Sequence, residues 1–179
     1  MNMPPRYQDA KWENLSEPLR KTIIETKKDG LVGIMFTGNP GVGKTYTAYA
    51  LCSRIEEKLN IGVFCVNATS DLLALASGAT FRGGYDTDER DFYERFEAHR
   101  GAFFVDDLSA DLECTEVEKR ILYGLVNKCY ENEQYLVVTT NNTIEELRQS
   151  FGNKFISRLL GCCGVLELQG DDNRLKNHE

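Results

Sequence analysis

The sequence predicts an α/β fold, a parallel sheet covered by helices on both faces. Three observations predict it. Short apolar runs of strand length alternate with segments of helical period. The first strand runs straight into a glycine-rich loop, Gly38-Asn39-Pro40-Gly41-Val42-Gly43-Lys44-Thr45, which opens a helix. The third strand ends in two acids, Asp106-Asp107.

Taken in order, residues 1–30 are polar, with Pro4-Pro5 and Pro18 interrupting the early part. The spacing predicts a short helix over 18–28, with Leu19, Ile23 and Ile24 on one side, ended by Asp29-Gly30. The run LVGIMFT at 31–37 predicts the first strand. A helix follows over 46–59, its apolar face made by Ala48, Leu51, Cys52, Ile55 and Leu59. The second strand is predicted at 61–66, a helix at 69–76, a glycine-containing polar loop at 78–88 and a helix at 89–99. The third strand spans 102–105. A long helix at 116–133 turns Ile121, Leu122, Leu125, Val126 and Cys129 inward. The fourth strand is predicted at 135–140. A helix at 143–149 follows, with Thr143 as N-cap and Glu146 completing a capping box. A helix at 155–160 and a fifth strand at 165–168 close the pattern.

The 179 residues fit one domain, read as 1–170 with a short N-terminal segment over 1–30 and a frayed tail over 171–179. A net charge of -7 disfavours a nonspecific coater of duplex nucleic acid, although it permits a local basic groove. No run approaches the ~20 apolar residues of a membrane span, and residues 1–9 lack the apolar centre of a secretory signal. Cys52, Cys65, Cys114, Cys129, Cys162 and Cys163 form no C-x-x-C pair. The expectation is reduced thiols, mostly buried, in a cytoplasmic protein. His99 and His178 sit in no ligand-spaced cluster, so no histidine–cysteine metal site is expected.

The loop matches G-x-x-x-x-G-K-[ST] in full. Random occurrence in a chain this long is roughly one in a few hundred, and the strand before it and the helix after it sharpen the match further. Glycines let the backbone turn tightly and aim successive N–H groups at phosphate oxygens. The helix start adds its positive end. Lys44 is expected to reach the β- and γ-phosphates of ATP, and the Thr45 hydroxyl to hold Mg²⁺. Gly38, Asn39, Pro40, Gly41, Val42, Gly43, Lys44, Thr45 and Tyr46 make up the expected nucleotide-binding set.

An apolar strand ending in acids is the expected partner of such a loop. Asp106 would hold Mg²⁺ and Asp107 would polarise the attacking water. Many ATPases carry Glu at the second place, and Asp is one methylene shorter. A surface acid is the competing reading for Asp107. The fourth strand ends Thr139-Thr140-Asn141-Asn142. Ligands gather at the carboxyl ends of parallel strands, so Asn141 is chosen over Asn142 to touch the γ-phosphate. A turn asparagine is the alternative.

These elements, in this order, resemble the AAA+ ATPases. Gly152-Asn153-Lys154-Phe155-Ile156-Ser157-Arg158-Leu159, shortly after Thr139-Thr140-Asn141, is similar to the DnaC/IstB-like branch of helicase loaders and transposition helper ATPases. The similarity covers about residues 5–170. It implies a three-layer P-loop NTPase core with strand order 5-1-4-3-2 and no C-terminal helical lid. It implies that Asn141 is the γ-phosphate sensor and that Arg158 is an arginine finger entering a neighbour's ATP site; a local salt bridge is the alternative for Arg158. Arg6-Tyr7-Gln8-Asp9-Ala10 with Trp12 is similar to the stretch near adenine in that family. About 30 residues precede the first strand, so a separate helicase-gripping domain is expected to be absent or very short.

The family binds single-stranded DNA through elements in the region corresponding to 68–100. Here Phe81, Arg82, Gly83, Gly84, Tyr85, Arg90, Phe92, Tyr93, Arg95 and Phe96 interleave aromatic and basic groups, which suits stacking on bases. Asp86, Asp88, Glu89, Asp91, Glu94 and Glu97 share the region, and an ordinary loop is the competing reading. Phe92 and Phe96, four apart, read as core.

The resemblance thus implies an ATPase that self-assembles with ATP on single-stranded DNA to help load a replicative helicase. The alternatives are a transposition helper and a non-hydrolysing ATP-gated adaptor.

Overall fold

The computed structural model describes residue 1 and residues 3–26, 30–68, 89–110 and 116–172. The expected helix at 69–76, the loop at 78–88, Cys114 and the tail from 173 onward lie outside the described residues. Five strands form one sheet: β1 (Gly33–Thr37), β2 (Val63–Asn67), β3 (Ala102–Leu108), β4 (Leu136–Thr140) and β5 (Cys163–Glu167). All pairs are parallel, in the order β2-β3-β4-β1-β5, which is the expected order read from the other edge. The described α-helices are α1 (Glu17–Thr26), α2 (Lys44–Leu59), α3 (Glu89–Ala98), α4 (Glu116–Asn132), α5 (Ile144–Phe151) and α6 (Asn153–Cys162). Two 3₁₀ turns, Pro5–Tyr7 and Trp12–Asn14, precede α1.

The continuous apolar runs follow from burial on both faces. Side chains alternate along a strand. Ile34 and Phe36 of β1 therefore join Phe104 and Val137 in one cluster, beneath Ala48, Leu51, Cys52 and Ile55 of α2. Met35 points the other way and joins Phe103, Val105, Leu136 and Val138 beneath α4, α5 and α6. Phe36, Phe103 and Phe104 are fully buried. Each such side chain contributes about 1.5–3 kcal/mol relative to exposure. The five inward residues expected on α4 are all buried.

Two expected faces are corrected. On α1, Ile23 is buried while Ile24 is 60% exposed, because adjacent helical residues point about 100° apart. On α2, Leu59 ends the helix and is exposed. β3 runs three residues past its expected end, through both acids. The Thr143 capping box is present: Thr143 Oγ1 accepts from the Glu146 amide, and the Glu146 carboxylate accepts from the Thr143 amide at 2.7 Å. Cys52, Cys129, Cys162 and Cys163 are buried, Cys65 is half-buried, and none of the five is in a disulfide. Burial pushes the Cys162 thiol up to about 11, away from reactive thiolate. Among the described residues, no helix is long and apolar enough to cross a membrane.

Candidate functional site

The carboxyl ends of β2, β3 and β4 and the loop that follows β1 open into one cleft of about 650 Å³. It is lined by Pro40 to Thr47 of the glycine loop and α2, by Asn67, Asp106, Asp107, Thr139 and Asn141, and by Arg6, Tyr7, Asn14, Leu15, Ser16 and Leu19 of the N-terminal segment.

The loop is shaped by its glycines. Gly43 at φ 100° is the N-cap of α2, a left-handed position that a side chain rarely adopts. Gly41, at φ 80°, sits where an added Cβ would collide with the Asp172 carboxylate. The chain read as a frayed tail from 171 is thus still seated against the loop at Asp172. Lys44 is the first residue of α2, two residues earlier than the expected helix start. Its Nζ donates to the carbonyls of Gly38 at 2.8 Å and Asn39 at 2.7 Å. Those two residues do not line the cleft; their carbonyls instead hold the lysine at its edge.

Asp106 is the hub. Its Oδ1 accepts from Thr45 Oγ1 at 3.0 Å and Thr139 Oγ1 at 2.7 Å, and its carboxylate is also bonded by the Asn67 side chain. Burial pushes the carboxyl above its ordinary range. The Thr139 and Thr45 hydroxyls oppose that shift, and the neighbouring Asp107 charge adds to it.

A regular strand would turn Asp106 and Asp107 to opposite faces. The register prevents this. Val105 pairs with Val138 and Leu108 with Thr140, so β3 advances three residues while β4 advances two. The extra residue is a bulge. Asp107 takes it up at φ 58°, a left-handed conformation in which Asp and Asn are enriched. Both acids consequently line the cleft. Asp107 donates its amide to Thr139 Oγ1 at 2.9 Å and accepts from Asn141 Nδ2 at 3.3 Å.

Asn141 lines the cleft and Asn142 does not. Asn142 is buried, and its Oδ1 accepts from the Ala110 amide at 2.8 Å, fixing the chain after β3. Tyr46 lines the cleft and its hydroxyl donates to the Asp9 carbonyl at 3.0 Å, tying the N-terminal segment to α2. Tyr7 stacks on Tyr49 with ring centroids 4.9 Å apart. Of the N-terminal residues singled out, Arg6 and Tyr7 reach the cleft, whereas Trp12 packs against the α2 core.

Arg158 lies on α6, outside this cleft. Its guanidinium sits over the Tyr123 ring of α4, 5.1 Å from the centroid, and makes no salt bridge among the described residues. Lys154 is exposed. Of the aromatic and basic residues read as a nucleic-acid surface, Phe81, Arg82, Gly83, Gly84 and Tyr85, and the side chains of Arg90, Phe92 and Tyr93, lie outside the described set. Phe96 is core, and Arg95 rests over Phe64 at 5.9 Å.

Sequence reasoning missed Asn67, Thr139, Asn14, Leu15, Ser16 and Leu19 as cleft residues. The rule that selected Asn141, a polar residue at the carboxyl end of a strand, also reaches Asn67 once β2 is extended by one residue. Nothing comparable marks Asn14 and Leu15, which arrive by folding of the N-terminal segment.

The donor set fits a hard divalent cation, since Thr45 and Asp106 present oxygens within 3.0 Å of each other. The left-handed glycines and the α2 N-terminus fit phosphate. Fold and cleft together define a P-loop nucleoside triphosphate-binding core of the AAA+ type. The chain matches the family of IstB-like ATP binding proteins over residues 21–179, and it belongs to that family. No curated protein sequence gives a significant match. Among solved structures, the chain is similar to the DnaC helicase loader, at 20% identity and TM-score 0.74, covering 93% of this chain and 100% of that one. It is similar to DnaI at 14% identity and TM-score 0.71, covering 96% and 94%. It is also similar to the replication initiator DnaA bound to AMPPCP and single-stranded DNA, at 19% identity and TM-score 0.69, covering 99% of this chain and 56% of that one.

Proposed function

We propose that the protein is an ATP-hydrolysing, self-assembling ATPase of the helicase-loader kind. The observation that carries the reading is a split constellation. Phosphate loop, paired acids and Asn141 converge on one cleft, while Arg158, to which the family resemblance gives the transition-state charge, lies outside it.

ATP binds with its phosphates in the glycine loop. Lys44 exchanges the Gly38 and Asn39 carbonyls for β- and γ-phosphate oxygens. Thr45 and Asp106 would hold Mg²⁺, which when bound would supply neutralisation of phosphate charge. Asp107 orients the attacking water and takes up its proton, with Asn141 between that carboxylate and the γ-phosphate. Arg158 enters the cleft of a neighbouring copy and neutralises charge on the transferring phosphoryl group. Hydrolysis then depends on assembly.

The likeness to a helicase loader over the whole of that solved chain supports action on a replicative helicase. The likeness to an initiator holding single-stranded DNA supports a single strand as the track for assembly. The test is steady-state hydrolysis with and without single-stranded DNA, alongside light scattering with ATP. Stimulation with assembly is expected. Neither ATP binding nor association would overturn the reading.

One observation favours a second reading, the ATP-gated adaptor. Asp107 is short, held in a left-handed backbone and hydrogen-bonded by Asn141. Tight ATP binding with no turnover under any assembly condition selects it.

A further inference from the structure

The trans role of Arg158 leaves open what aims it. An arginine finger has to present its N–H edge to phosphate while its charge is held in place. A carboxylate partner would hold the charge but occupy that edge, because carboxylates bind guanidinium through the same donors. An aromatic ring holds the charge through the face of the guanidinium and leaves the edge free.

The described contacts of Arg158 are of the second kind. Its guanidinium lies over Tyr123, 5.1 Å from the ring centroid. Its side chain forms no hydrogen bond or ion pair among the described residues. Nε is buried without a partner, so the stem is packed down and the terminal nitrogens carry the available donors. Tyr123 is itself partly buried and packed against the core cluster under α4 and α6, which fixes the ring. Asn127, one turn further along α4, also has its side-chain oxygen buried and unpartnered, so it does not lock Arg158 either.

We infer that Tyr123 is a positioning residue for hydrolysis: its ring is the platform that presents Arg158 to the ATP site of a neighbouring copy of this chain. The inference rests on the trans reading of Arg158 above. The ring face, not the hydroxyl, does the positioning, so Y123F keeps the function and Y123L loses it.

The test uses the full chain and subunit mixing. Y123F is expected to hydrolyse ATP within about twofold of wild type, and Y123L about tenfold more slowly at saturating ATP, with unchanged half-saturation for ATP. Y123L is then mixed with D107N, which has an intact finger but cannot turn over its own ATP. Y123L clefts that receive the finger of a D107N neighbour regain activity. An equimolar mixture should reach about a quarter of the wild-type rate per subunit if each cleft borrows from one neighbour. R158A mixed with D107N is the control and should recover equally.

Recovery in the control but not with Y123L overturns the Tyr123 inference and leaves the trans finger standing. A wild-type rate for Y123L alone does the same. Failure of both mixtures overturns the trans reading and the inference with it.

Discussion

The cleft at the strand ends and the seam between α4 and α6 treat their polar groups in opposite ways. In the cleft, charges are already engaged: Lys44 with two loop carbonyls, Asp106 with the hydroxyls of Thr45 and Thr139. On the seam, Arg158 rests on a ring with Nε unpartnered. A buried donor without an acceptor is costly, about 1–3 kcal/mol, and is seldom kept without a use. The cleft is preorganised from within one chain. The seam has donors to spare, which suits a group meant for something outside the chain.

The sharpest way to break this comparison is K44A. If the cleft is self-contained for binding, removing the ammonium lowers ATP affinity about 100-fold or more, read by titration with a fluorescent ATP analogue. R158A should leave that titration unchanged. A loss of ATP binding in R158A would place the arginine in the cleft of its own chain and erase the distinction.

Asp107 comes next. D107N keeps a residue tolerant of φ 58° and removes the base, so turnover should fall about 10²–10⁴-fold while thermal stability holds. D107E restores reach but strains the bulge by about 1 kcal/mol, lowering the melting temperature by a few degrees. A melting temperature equal to wild type would show that the bulge relaxes.

Asp106 sharpens the comparison by pH. Burial raises its carboxyl pKa in the folded state. A carboxyl with a raised folded pKa gives stability that is fully present below its unfolded pKa. That stability is lost as pH rises from the ordinary carboxylate range through the raised value. Ligand-free D106N should therefore melt above wild type at neutral pH, with the gap closing on acidification, while losing the extra stabilisation that Mg²⁺ adds to ATP. Thermal melts over that range check it. The smallest effect belongs to T143A, which removes the α5 N-cap. It should cost about 1 kcal/mol in urea unfolding and leave hydrolysis unchanged.

The same contrast explains what was legible in the sequence. The phosphate loop is contiguous, and its residue types are dictated by backbone geometry, so nine positions were named without a structure, and seven of them, Pro40 to Tyr46, line the cleft. The sheet order came from resemblance and agrees with the fold. The bulge at Asp107 was not legible, because it depends on register against β4, and alternation alone would have sent one acid away from the cleft. Asn67 was lost to a boundary one residue short. The pairing of Tyr123 with Arg158 joins two helices through tertiary packing, and nothing in local spacing announces it.

The most direct test of the central account, an active site completed by a neighbour, is the rate of ATP hydrolysis per subunit across a wide range of protein concentration, for wild type and R158A. The account predicts a wild-type rate per subunit that climbs with concentration and then levels, and an R158A rate that stays low throughout despite normal ATP binding. A wild-type rate that is substantial and independent of concentration would contradict it.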